Sequence, residues 1–267
     1  MGRVLPFSIH PFGVTLALGF ALGLLLTTGE ARRRGLREGE VVDVALWVML
    51  AALVGGRFLY VLANWDYYKD VPGEILLLTA GGLSYHGGLA VGGAVAWVLA
   101  TARGWYFPDL ADAAAPGLAL GYTIARLGCN VIGKPTYWPW GLSLNGILVH
   151  PQGLYASIAN YLLFIILWKW RPRAAFRGEL FSLYLILYGG SRFAIEFTRY
   201  GKLLGPLSLA QWGSLLLMGF GFYLRRIWGG DLSPSPPVYG QRPFNGKEAA
   251  QWSIGLAFII FSYILIK

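Results

Sequence analysis

Three arginines stand inside long apolar stretches of the sequence. They occur in VGGRFLY, TIARLGC and GGSRFAI, as Arg57, Arg126 and Arg192. An arginine at the centre of a bilayer costs about 2.5 to 3.5 kcal/mol on insertion scales, so each needs a compensating partner. The clear carboxylate is Glu196, four residues after Arg192 and therefore on the same helix face, with Asp109 and Asp112 near the end of another stretch. The excess positive charge predicts an anionic ligand, and guanidinium geometry favours the phosphate of a lipid headgroup.

A second interpretation of these arginines needs no ligand. Long basic side chains can extend toward the membrane surface or donate to the carbonyl groups at helix ends. The residues alone leave both interpretations open for each arginine.

His86, in LSYHGGLA, is the candidate general base. Imidazole titrates near neutral pH, and the glycines at 87 and 88 remove side-chain bulk beside the ring. Two other interpretations stay open: a histidine that only joins helices by a hydrogen bond, and glycines that serve helix packing. His10 and His150 are interpreted as an interfacial anchor and a residue at a span entrance.

Cys129 is the only cysteine, which excludes a disulfide framework and a thiolate metal cluster. Its position beside Arg126 suggests a nucleophile, because cations lower the pKa of a thiol, but a small residue in helix packing explains it as well. No HExxH, P-loop or GxSxG motif occurs. The sequence therefore predicts neither a metal site nor a cofactor.

The composition places these residues in a membrane protein. Hydrophobic residues make up 56% of the 267 residues and charged residues only 13%, whereas a soluble domain carries about 25% charged residues. The net charge of +9 lies in short clusters between apolar stretches, which indicates membrane topology rather than binding of nucleic acid. Windows of about 20 apolar residues fall near 9–28, 43–63, 86–103, 110–132, 152–170, 180–198, 208–228 and 251–267.

The predicted fold is accordingly all-α and polytopic. About seven transmembrane helices form a core over residues 1–228, a linker rich in Pro, Ser and Gly covers 229–250, and an additional transmembrane helix covers 251–267. The basic cluster at 32–37 predicts a cytoplasmic loop and an N-terminus outside a bacterial cytoplasmic (inner) membrane. Segments 63–85 and 133–151, rich in Trp, Tyr and Pro, then lie at the outer surface.

Several motifs in a fixed order carry a family resemblance. They are IHPFGV, VGGRFLYVLAN, GGLSYHGG, ARLGC followed by GKPTYWPWG, HPQGLY, GGSRFAIEFTR and LSLAQW. Over most of residues 8–221 the chain resembles the bacterial phosphatidylglycerol:prolipoprotein diacylglyceryl transferases. The strings YHGG and RFAIEFTR are the most specific part of this resemblance.

The resemblance implies a reaction and roles for the residues above. The diacylglyceryl group of phosphatidylglycerol moves to the thiol of a lipobox cysteine in a prolipoprotein, recognised by its signal peptide, and glycerol phosphate is released. Arg126 and Arg192 would hold the lipid phosphate and stabilise the leaving group, His86 would take the thiol proton, and Glu196 would fix Arg192. The remaining candidates for substrate contacts are Arg57, Tyr85, Asn130 and Gln211.

The sequence departs from the family pattern at several polar positions. Ala125 stands where the family has glycine, Ala156 where it has glutamate and Phe12 where tyrosine is common, and no glutamate occurs between Arg126 and GKPT. These departures leave two alternatives open. One is a non-catalytic or transport protein that binds an anionic lipid, and the other is a transferase with a different acceptor.

Overall fold

Long α-helices account for most of the structure. The computed structural model describes residues 11–77, 82–129, 131, 133–201, 203–230 and 255. Within these residues the α-helices are α1 Pro11–Arg33, α2 Glu38–Ala63, α3 Trp65–Tyr68, α4 Tyr85–Ala102, α5 Phe107–Leu127, α6 Gln152–Trp170, α7 Glu179–Glu196 and α8 Leu209–Gly230.

Two small antiparallel hairpins interrupt the helices. Strands β1 Leu142–Leu144 and β2 Ile147–Val149 are joined by Asn145 and Gly146, both at positive φ (50° and 81°). Positive φ at both residues is the geometry of a two-residue hairpin turn, for which Asn-Gly is preferred. Strands β3 Leu203–Leu204 and β4 Leu207–Ser208 form the second hairpin, just before α8.

The seven predicted core windows each coincide with one of the long helices. By length and composition, Phe12–Arg33, Glu38–Ala63 and Gln152–Arg173 are apolar enough to cross a membrane, and His86–Ala102 is a shorter apolar helix. Helices α5 and α7 carry acidic and basic residues that are discussed below. The all-α membrane fold is confirmed, and the count of seven spans stays a prediction. The predicted linker and last helix, 229–250 and 251–267, lie outside the described residues except at 229, 230 and 255.

Charged side chains are buried and large apolar side chains are exposed, which is the reverse of the pattern in a soluble protein. Asp112, Glu179 and Glu196 are at most 5% exposed, whereas Leu25 and Leu216 are 68% and 75% exposed. Charged side chains are almost never fully buried unless they are paired, and large exposed apolar areas are rare on soluble monomers. This distribution fits a protein surrounded by lipid, with its polar groups directed inward.

The chain divides into two compact units, of which residues 35–110 form the smaller. In this unit α2 and α4 pack through glycines. A side chain at Gly87 would overlap Gly55 and Leu59 of α2, and one at Gly56 would lie 3.1 Å from the Ser84 carbonyl oxygen. Small residues let helix backbones approach closely in a membrane, so the glycines around His86 serve helix packing.

The larger unit comprises the described parts of residues 1–34 and 111–267. Helices α1 and α5 meet at two GxxxG pairs, Gly19 with Gly121 and Gly23 with Gly117, where any side chain would collide with the facing backbone. Aromatic and aliphatic side chains, mostly of α6 and α7 with some from α5 and α8, form the buried core. That core includes Tyr161, Phe164, Leu167, Tyr184 and Tyr188.

One end of the larger unit is held by buried ion pairs. Glu30 pairs with Arg33 and Arg171, Asp112 with Arg34, and Glu179 with Arg225. These residues come from the C-terminal ends of α1, α6 and α8 and the N-terminal ends of α5 and α7, which is the predicted cytoplasmic side. Two of the basic residues that indicated topology, Arg34 and Arg171, are therefore also buried structural partners.

Candidate active site

The predicted site residues divide between the two units. Arg57 and His86 belong to residues 35–110, and Arg126, Arg192, Glu196 and Gln211 belong to the larger unit. Tyr85 begins α4, but its side chain is outside the described part of the chain, and Asn130 is not among the described residues.

His86 lies in the first turn of α4, on an exposed position of the helix. Ser84 caps this turn, because its side chain accepts from the Gly87 N–H at 3.4 Å, and its own N–H donates to the Gly56 carbonyl of α2 at 2.8 Å. The helix start is thereby capped and is tied to α2 by one backbone hydrogen bond. The result is an imidazole on a capped helix end, which suits a general base.

The Arg57 guanidinium binds the chain that leads to His86. Its Nε donates to the Ile75 carbonyl at 2.8 Å, one terminal nitrogen to the Glu74 carbonyl at 2.6 Å, and the other to the Gly82 carbonyl at 3.0 Å. The side chain is buried, and its guanidinium carbon lies 5.3 Å from the Tyr68 ring centroid. This arrangement matches the ligand-free interpretation of Arg57, because two of the acceptors are carbonyls at the end of the short 3-10 helix Pro72–Glu74.

The same outer segment is ordered by a second contact. The Tyr67 hydroxyl donates to the Glu74 carboxylate at 2.8 Å. This hydrogen bond, together with the negative charge of Glu74, raises the pKa of Tyr67 above its usual value. Glu74 thus accepts one hydrogen bond at its side chain, from Tyr67, and one at its carbonyl group, from Arg57.

Arg126 stands in the last turn of α5 and is half-buried. One terminal nitrogen donates to the Cys129 Sγ atom at 2.9 Å, and the guanidinium lies 5.9 Å from the Tyr122 ring centroid. Its Nε atom is buried and has no hydrogen-bond partner among the described residues. A buried guanidinium N–H without an acceptor costs free energy, so Arg126 has a donor available for an anion.

Arg192 and Glu196 form an ion pair on α7. The Arg192 terminal nitrogen lies 2.8 Å from the Glu196 Oε2 atom, with the arginine side chain 23% exposed and the carboxylate 3% exposed. The Glu196 Oε1 atom faces Gly201, so a side chain at Gly201 would come within 2.7 Å of it. Glu196 therefore fixes the direction of a guanidinium that stays partly open.

Gln211 forms a capping box at the start of α8. The Ser208 N–H donates to the Gln211 Oε1 atom at 2.8 Å, and the Gln211 N–H donates to the Ser208 Oγ atom at 3.2 Å. This reciprocal pair satisfies two donors at a helix start. The S-x-x-Q spacing in SLAQ is the sequence signal for this role.

The outer segment 133–151 is attached to the end of α7. The Lys134 N–H donates to the Thr198 carbonyl at 2.9 Å, and its Nζ atom donates to the Phe197 carbonyl at 3.1 Å. Gln152, at the start of α6, also donates to the Thr198 carbonyl at 2.9 Å. These contacts, which sequence reasoning did not find, join the ends of α6 and α7 immediately beyond Arg192.

The larger unit thus carries the features of an anion site. It has one half-buried guanidinium with spare donor capacity and a second guanidinium directed by a buried carboxylate. Guanidinium groups of this kind suit a phosphodiester, which carries one negative charge.

Comparisons with known proteins give a consistent picture. A family model described as prolipoprotein diacylglyceryl transferase matches residues 2–227. The protein named phosphatidylglycerol–prolipoprotein diacylglyceryl transferase in Finegoldia magna is 34% identical over 221 residues, covering 80% of this chain and 89% of that protein. Proteins of the same name in Clostridioides difficile and Bacillus mycoides are 35% and 36% identical over 210 and 225 residues, each covering 77% of this chain and 85% and 83% of their own lengths.

Proposed function

We propose a function from one premise: this chain belongs to the prolipoprotein diacylglyceryl transferase family. It transfers the diacylglyceryl group of phosphatidylglycerol to the cysteine thiol of a prolipoprotein, releases glycerol phosphate, and so acts in lipoprotein maturation. It is a bacterial membrane protein. The observation that supports this most directly is the half-buried Arg126, whose Nε atom has no hydrogen-bond partner within the described part of the chain, in a unit that also directs Arg192 with Glu196.

The transfer is a substitution at carbon. The thiolate sulfur of the acceptor forms a bond to the terminal glyceryl carbon, and the bond from that carbon to the phosphate oxygen breaks. Its electron pair stays on the departing glycerol phosphate. The thiol proton goes to a base during the attack, and the base later releases it to solvent or product.

The arginines stabilise the negative charge that develops on the departing glycerol phosphate. A phosphodiester carries one negative charge, whereas the phosphate monoester that leaves approaches two. Contacts from Arg126 and Arg192 therefore strengthen as the carbon–oxygen bond breaks, which lowers the barrier rather than only binding the lipid. Glu196 keeps the Arg192 guanidinium in one orientation during this change.

His86 is the proposed base for the acceptor thiol. An imidazole can accept a proton near neutral pH, and this one stands on a capped helix turn. The acceptor enters with its signal peptide, whose own apolar helix brings the lipobox cysteine to the outer surface. The clusters of basic residues in alternate loops support an N-terminus outside the cytoplasmic membrane.

The proposal is tested with purified protein, phosphatidylglycerol and a synthetic lipobox peptide. We expect a peptide product heavier by one diacylglyceryl group, and none when the lipobox cysteine is replaced by serine.

His86→Ala should lower the rate by about 10²- to 10⁴-fold, because general-base catalysis contributes that much. His150→Gln is the matched control and should retain the rate. Lipid binding with no peptide product from the wild-type protein would overturn the proposal and support the lipid-binding alternative.

A further inference from the structure

Asp112 is a fully buried carboxylate that joins three helices of the larger unit. Its Oδ2 atom lies 3.2 Å from an Arg34 terminal nitrogen at the end of α1, and both side chains are at most 1% exposed. The same carboxylate accepts from the Gly178 N–H at 2.8 Å and from the Phe181 N–H at 2.9 Å. One side chain of α5 therefore holds the end of α1 and the start of α7.

The start of α7 is capped by Asp112 rather than by its own side chain. Gly178, the residue before α7, has φ of 90° and offers no side-chain cap. The Trp228 ring of α8 occupies the space where a side chain at Gly178 would lie. The first N–H groups of a helix need acceptors and are stabilised by a nearby negative charge. Asp112, on α5, supplies both the acceptor oxygens and the charge.

The two candidate phosphate-binding arginines stand at the same distance along their helices from this contact. Arg126 follows Asp112 by fourteen residues on α5, and Arg192 follows Gly178 by fourteen residues on α7. At about 1.5 Å per residue each lies roughly 21 Å along its helix, and fourteen residues are close to four whole turns. Both helices lead away from Asp112 in the N-to-C direction, so a shift of α7 at Asp112 moves Arg192 relative to Arg126.

We propose that Asp112 is a positioning residue that sets the register of α7 against α5, and through it the spacing of Arg192 and Arg126. This inference rests on the proposed function for its kinetic part, since the two arginines bind the lipid phosphate there. Asp112 touches no substrate. Loss of its carboxylate leaves the α7 start uncapped and Arg34 without this counter-ion, so α7 slides or tilts.

Glu179 provides the matched control. It is a buried carboxylate at the same end of the unit, it pairs with Arg225 at 2.9 Å and it accepts from the Ala175 N–H at 2.6 Å. It also accepts from the Trp170 Nε1–H at the end of α6 at 3.2 Å. None of these partners is on α5. Glu179→Ala therefore removes another buried carboxylate without releasing the contact between α5 and α7.

The first test measures distance and needs no activity. Spin labels are placed at the exposed positions Leu118 on α5 and Ala194 on α7, in a Cys129→Ser background, and their separation is measured by electron paramagnetic resonance. We expect Asp112→Ala to shift or broaden the distance distribution and Glu179→Ala to leave it unchanged. An unchanged distribution in Asp112→Ala would overturn the proposal, whatever the protein's activity.

The second test is a double-mutant cycle in the transferase assay. Asp112→Ala should lower kcat/KM for phosphatidylglycerol by about 10- to 100-fold, because a misplacement of about 1 Å can cost that much. In an Arg192→Ala background the same substitution should have little further effect, since its action passes through Arg192. Glu179→Ala should combine additively with Arg192→Ala, and additive behaviour of Asp112→Ala would contradict the proposal. A wild-type protein without transferase activity would refute the proposed function and leave the distance test to decide the role of Asp112.

Discussion

Replacement of Arg57 by lysine separates its two interpretations. The guanidinium donates to the carbonyl groups of Glu74, Ile75 and Gly82. A lysine ammonium keeps the charge but is compact and lacks the planar fork, so it can replace about one of these three contacts. The segment from Glu74 to Ser84 would then lose most of its attachment to α2.

The size of this effect follows from the contacts. A hydrogen bond from a charged donor contributes about 1.5 to 3 kcal/mol, so loss of two amounts to about 3 kcal/mol at the lower bound. Because every 1.4 kcal/mol is tenfold, local opening should become roughly 100-fold more frequent. The Ser84 N–H, which donates to the Gly56 carbonyl at 2.8 Å, reports on this opening.

The assay is hydrogen exchange measured by mass spectrometry on peptides that contain Ser84. We expect Arg57→Lys to accelerate exchange there by about two orders of magnitude, with a fall in kcat because the same turn carries His86. Arg103→Lys, a second arginine of this unit that donates to the Leu99 carbonyl at 3.3 Å, should leave Ser84 exchange unchanged. Unchanged exchange in Arg57→Lys together with a raised KM for phosphatidylglycerol would refute this reasoning and assign Arg57 to the headgroup.

Three further substitutions probe the larger unit. Glu196→Gln removes the charge that directs Arg192, and kcat/KM for phosphatidylglycerol should fall roughly tenfold; an unchanged value would show that the ion pair does not position the arginine. Cys129→Ser should retain the wild-type rate, because the serine oxygen can accept the hydrogen bond from Arg126 in place of sulfur. Complete loss of activity in the peptide assay would instead indicate a covalent enzyme intermediate. Gln211→Ala removes half of the capping box and should lower the free energy of unfolding by about 1 kcal/mol in thermal denaturation, and a raised KM instead would place Gln211 at the lipid.

The helices were predictable because their signal is local. A run of apolar residues long enough to span a bilayer can be identified within a single window, and each of the seven core windows contains a helix. Arg192 and Glu196 were predictable for the same reason, since four residues separate them on one helix. The capping box of Ser208 and Gln211 had an equally local signal, in the spacing of SLAQ.

The remaining contacts could not be predicted because their partners are distant in sequence. Arg57 stands in an apolar helix, and nothing in VGGRFLY indicates that its acceptors are backbone carbonyls 17 to 25 residues later. Asp112 was recognisable only as a carboxylate near the end of a span, whereas its partners are 66 and 69 residues away. Arg34 belongs to a basic cluster that indicates topology, and charge counts do not distinguish a buried ion pair from a solvated one.

The most direct measurement is the product balance of a single reaction mixture. Purified protein is incubated with phosphatidylglycerol and the lipobox peptide, and both the diacylglyceryl thioether peptide and free glycerol phosphate are quantified by mass spectrometry. We expect the two products in equal amounts, with both lost together in Arg126→Ala. Release of fatty acid or glycerol phosphate without modified peptide, or no product in conditions where a relative is active, would contradict the assignment.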